Sequence, residues 1–116
     1  MAAPIVNIGL VSNLFSRQMH FVNAGDTEIG HTHAFDHLTL LAKGILNITV
    51  DGVTTEFTAP QMIFIKKDIV HELTAVTDNT VAYCIHPLKE SSGDIIDASM
   101  VPKGDALKSV LQNILS

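Results

Sequence analysis

Six histidines occur in this chain of 116 residues, and three of them fall at 31, 33 and 37. Residues two apart in a strand point to the same face. The segment Gly30-His31-Thr32-His33 therefore predicts two imidazoles side by side. His37 follows three residues after His33 and opens the next apolar stretch, and His71 opens another one further on. Four imidazoles from three neighbouring strands can converge in one small interior. Imidazole nitrogen suits Zn, Fe, Ni and Cu. Clustered histidines repel when protonated and waste polar groups when buried without partners, and a shared cation removes both penalties. Asp36 is the rival oxygen ligand to His37. Strand alternation turns neighbouring residues to opposite faces and opposes it, unless a bulge intervenes.

Short strands must carry these residues. Stretches rich in Val, Ile, Thr and Phe run over 18–23, 28–33, 37–42, 45–50, 54–57, 62–66, 71–76 and 81–86. Turn signals divide them, among them Lys43-Gly44, Asp51-Gly52 and Thr77-Asp78-Asn79. Asp-Gly between two strand patterns is a strong hairpin signal. Eight short strands at regular spacing predict a sandwich or barrel, with a jelly roll as the natural closure. The apolar stretch Ile5–Phe15 fits a strand or a short helix equally well. At the other end Asp105 can cap a helix, and Leu107, Val110, Leu111 and Ile114 then form one apolar stripe.

The length allows one domain, 1–116, with the motif-bearing barrel at about 18–88 and the short C-terminal helix at about 105–115. Net charge is −5, which argues against nucleic acid. The single Cys84 excludes an intrachain disulfide. It lies in an apolar strand and reads as an inert buried thiol. The start of the chain lacks the pattern of a signal peptide, and no apolar run approaches membrane-spanning length. A soluble cytoplasmic protein is the expectation. Charged residues make up only 16% and mean hydropathy is +0.31, so some surface should be buried between subunits, as in a homodimer.

Gly25, five residues, His31-Thr-His33, three residues, His37, six residues, Gly44 resembles the first motif of the cupin superfamily. That motif reads Gly, five residues, His-X-His, three or four residues, Glu, six residues, Gly. The one departure is His37 where the family usually has glutamate. The second motif is weak: aligned on His71, its other positions hold Pro60, Lys66, Asp68 and Ala75, and only the histidine is kept. The resemblance spans roughly residues 18–86. It implies an all-β cupin-type jelly-roll barrel of six to eight strands holding one divalent transition metal (Fe, Ni, Zn, Mn or Cu). Carried over by position, the ligands are His31, His33, His37 and His71. Four neutral imidazoles leave the full charge on the metal, which favours anionic ligands and a lower pKa of bound water.

If His71 and His37 point inward, Leu73 and Ala75 share the face of the first, and Thr39 and Leu41 that of the second. Phe35, Met62, Phe64 and Tyr83 read as core or pocket wall, and Tyr83 and Gln61 as the polar candidates for catalysis. The charged loop Lys66-Lys67-Asp68 reads as a solvated turn or as a barrel mouth that attracts anions. Metal-containing relatives implied by the resemblance include dioxygenases, isomerases and lyases on small oxygen-rich organic molecules. A dioxygenase-like enzyme is therefore the leading expectation. The alternative is a non-enzymatic small-ligand binding or sensor module with a structural metal.

Overall fold

The computed structural model describes residues 1–31 and 36–89, with the backbone alone for His31. The expected helix at 105–115 lies outside the described residues. Nine strands follow in order: β1 Ile5–Val11, β2 Leu14–Phe21, β3 Thr27–His31, β4 His37–Lys43, β5 Ile45–Val50, β6 Val53–Thr58, β7 Gln61–Ile65, β8 His71–Ala75 and β9 Thr80–Pro87. They form two antiparallel sheets, a five-stranded one in the order β1-β2-β9-β4-β7 and a four-stranded one in the order β3-β8-β5-β6. This is the all-β jelly roll that the strand pattern predicts. Among the described residues no helix is long and apolar enough to cross a membrane.

The N-terminal stretch resolves as strand. β1 and β2 form a hairpin in continuous register from Ile5↔His20 to Val11↔Leu14, so the sheet begins at Ile5 and not near residue 18. The helix alternative fails because Ile5–Val11 pairs residue by residue with β2, and Ile8 and Leu10 are its more buried positions at a period of two. Asp51 and Gly52 both adopt positive φ, 50° and 77°, and join β5 to β6 in the tight turn that Asp-Gly favours.

Between the sheets the core is Met19, Phe21, Leu41, Leu46, Ile48, Ile65, Leu73, Ala75, Ala82 and Cys84. Gly44 lets the chain turn from β4 into β5, and so from one sheet to the other. Its φ is +88°, and an added Cβ would meet Thr80 Oγ1 and would lie 2.8 Å from Thr77 Oγ1. Thr77 Oγ1 in turn accepts the Ile45 N–H at 3.1 Å. These threonines fasten the start of β5 where only a glycine can pass.

One irregularity bears on the site. β3 pairs with β8 at Glu28↔Leu73 and again at His31↔His71, with a register shift between them. The extra residue brings His31, rather than Gly30, opposite His71. Bulges commonly re-aim a strand beside a functional site.

Candidate metal centre

His37 opens β4 and His71 opens β8, one from each sheet. Alternation turns both inward: His37, Thr39 and Leu41 are buried along β4, and His71, Leu73 and Ala75 along β8. Their rings lie with centroids 5.2 Å apart and planes at 45°. His71 Nδ1 lies 3.0 Å from the Ile69 carbonyl oxygen. A carbonyl only accepts, so Nδ1 carries the hydrogen and donates it. In the neutral ring the lone pair then sits on Nε2, the arrangement usual for a metal-ligating histidine.

His31 occupies the register position opposite His71. Its side chain, with His33 and Phe35, lies outside the described residues. Among the described residues there is no cluster of three or more His, Cys, Asp or Glu side chains suited to a metal ion. Two of the four expected ligands therefore meet, and a third is in register beside them. Asp36 is exposed, and its Oδ1 accepts the Lys67 N–H at 2.8 Å. Its carboxylate is thus engaged with the β7–β8 loop and not with the interior.

A small cavity of about 10 Å³ opens between these histidines, lined also by Arg17, Met19, Glu28, Thr39, Leu73 and Cys84. That is room for one water-sized occupant. Arg17 Nη2 donates to Glu28 Oε1 at 3.2 Å and to Oε2 at 3.4 Å. The two side chains are 15% and 17% exposed. An ion pair largely withdrawn from water costs solvation and adds little to stability. Sequence reading missed both residues. Arg17 shares the inward set Phe15, Met19 and Phe21, a charge amid apolar neighbours, and that signal was available. Glu28 reaches the same face as the His31 position only through the bulge.

The remaining candidates lie elsewhere. Tyr83 alternates with buried Ala82 and Cys84, so its ring is on the outer face of the five-stranded sheet, where its hydroxyl accepts a 2.7 Å hydrogen bond from Gln18 Nε2. Gln61 is exposed at the start of β7. Neither lines the cavity between His37 and His71. Met62 and Phe64 are 72% and 63% exposed, because β7 turns Ile63 and Ile65 inward in their place. Cys84 is buried as expected, but it forms part of the cavity wall. His86 is buried and stacks on Phe15 at 4.7 Å. His20 is hydrogen-bonded at the surface to Asn79 Oδ1 at 3.0 Å.

Comparison with solved structures agrees with the architecture. KdgF from Halomonas sp. superposes with a TM-score of 0.64 at 12% identity, over 75% of this chain and 80% of that one. A cupin-2 domain containing protein from Shewanella frigidimarina gives 0.61 at 18% identity, covering 75% and 83%. A cupin superfamily protein from Desulfitobacterium hafniense gives 0.62 at 13% identity, covering 77% and 83%. No protein-family model matches the chain, and no curated protein sequence does. Two antiparallel sheets closed in this strand order, with histidines opening strands of both sheets, define a small cupin-type jelly roll. The chain has the cupin fold.

Proposed function

We propose that the chain holds one divalent transition metal through His31, His33, His37 and His71, and that this centre acts on a small oxygen-rich organic molecule in a dioxygenase-like reaction. The observation that carries the reading is the buried His37–His71 pair across the two sheets, with His71 Nδ1 donating to Ile69 O. The donor set fits the group: neutral nitrogens facing a water-sized cavity suit a transition ion better than Mg or Ca, which prefer oxygen. A bound metal would supply Lewis acidity toward a carbonyl or enolate oxygen. The chain's own part is to orient His71 through Ile69, to keep water few around the centre, and to hold the Arg17–Glu28 charges against the cavity wall.

The small cavity, about 10 Å³, matches an ion in size and favours a second reading. In that reading the protein is a binding or sensor module with a structural metal. Oxygen uptake by the metal-loaded protein with a panel of diketones and phenolic acids separates the two. Turnover supports the enzyme. Saturable binding without turnover in every metal form supports the module.

A homodimer is part of the same proposal. Met62 and Phe64 are exposed on the outer face of the five-stranded sheet, opposite Leu40 and Leu38 in register. Ile85 adjoins Leu38 on the other side. Exposed apolar patches of this kind mark association surfaces. Sedimentation of the wild type and of Phe64→Asp tests it: a dimer falling to monomer is the expected result, and a monomeric wild type at micromolar concentration contradicts it.

A further inference from the structure

Two opposite charges stand one level deeper in the barrel than His37 and His71. Thr39 and Leu73, the next inward positions on β4 and β8, line the histidines' cavity. Thr39 lies beside Cys84 of β9, which lies beside Arg17 of β2. Leu73 lies beside Glu28 of β3. Arg17 and Glu28 thus reach the same level from opposite sheets, two residues, or about 7 Å, along the strands from the histidines. They meet there at 3.2 Å and both line the cavity. Apolar side chains of similar volume stabilise an interior as well as such a pair does, so stability does not account for charges at this position.

We propose that Glu28 is a positioning residue of the histidine centre: from the cavity wall it supplies the negative charge that favours a divalent cation between His37 and His71, and Arg17 holds it in place. The proposal rests on the metal reading above. Three observations carry it. A ligating imidazole is neutral, so His37 and His71 leave the charge of a divalent ion uncompensated in a cavity otherwise walled by Met19, Thr39, Leu73, Cys84 and the cationic Arg17. Glu28 is the one carboxylate among the described residues that line this cavity. Its two oxygens meet a single nitrogen, Arg17 Nη2, at 3.2 and 3.4 Å, and a carboxylate offers about four lone pairs, so acceptor capacity is left for a water in the cavity. Among the described residues Glu28 does not join His37 and His71 in a group suited to hold an ion directly. It therefore acts from outside the ligand set, where hydrogen-bonding partners tune metal affinity.

The signs of two substitutions separate this role from a purely structural ion pair. Glu28→Gln and Arg17→Met break the same pair, so a structural device would suffer alike from both. Toward a bound cation their effects are opposite, because one removes an attraction and the other a repulsion. Co(II) binding by the full chain at pH 7, measured by competition with a chromophoric chelator, reads the difference. Far-ultraviolet spectra confirm that each variant is folded, and the visible Co(II) spectrum reports ligation. Glu28→Gln should weaken Co(II) affinity about 10–100-fold, the usual cost of losing such an outer partner. Arg17→Met should tighten it, and the double variant, with the same net charge as the wild type, should return close to the wild-type affinity. Either single variant decides where the other does not fold. Unchanged affinity in Glu28→Gln, or weakening by Arg17→Met, would overturn the proposal and leave the histidine centre standing. A wild type that binds no Co(II) would remove the centre itself, and the proposal with it.

Discussion

Replacing the Arg17–Glu28 pair should separate what the barrel needs for stability from what its interior is for. At 3.2 Å the Coulomb attraction is about 1.3 kcal/mol in bulk water and about 5 kcal/mol at an effective dielectric constant of 20. The side chains are only 15% and 17% exposed, so the effective value lies between these and is offset by lost solvation. Removing one partner leaves the other charge stranded against His37, Thr39 and Leu73 in the cavity wall. Arg17→Met or Glu28→Gln alone should cost about 1.5–3 kcal/mol, somewhat less than for a fully buried pair. The double variant leaves no stranded charge and should fall within about 1 kcal/mol of the wild type. Urea unfolding of all four proteins gives the coupling energy, expected to be at least about 2 kcal/mol. Additive costs would refute the reasoning, because they would mean that the two side chains do not act as a pair.

Gly44→Ala should destabilise by about 1–3 kcal/mol, from a left-handed backbone and a Cβ pressed on Thr80 and Thr77; a melting temperature equal to that of the wild type would contradict this. Asp26 accepts the N–H groups of Asn23 and Ala2, and these bonds hold its carboxyl below the usual carboxylate range. A carboxyl with a depressed folded-state pKa stabilises fully above its unfolded value and loses that contribution as pH falls through the folded one. The wild type should therefore lose part of its stability below about pH 4, and Asp26→Asn should show a lower melting temperature at neutral pH with a flatter acid limb, both read by thermal melts across pH 2–7.

The strand pattern made the jelly roll legible, since period-two burial and the Asp51-Gly52 turn are both local signals. Inward placement of His37 and His71 follows from the same alternation. Two things were not local. β1 is an outer edge strand, and the adjacent apolar pairs Ile5-Val6 and Leu10-Val11 blur its alternation, which shows only as the partial burial of Ile8 and Leu10. The bulge in β3 depends on how that strand meets β8, so neither the placement of His31 opposite His71 nor the inward turn of Glu28 follows from spacing. The outer placement of Tyr83 was itself legible, since Ala82 and Cys84 on either side turn inward.

Metal content tests the central claim most directly. The untagged protein, purified without added metal and analysed by elemental mass spectrometry, should carry about one transition-metal ion per chain. His71→Ala, His37→Ala and His33→Ala should each lose most of it while the far-ultraviolet strand signal persists. Unchanged metal content in these folded variants, or a wild type that takes up no transition metal even after incubation with an excess, would contradict a histidine-held centre inside this barrel.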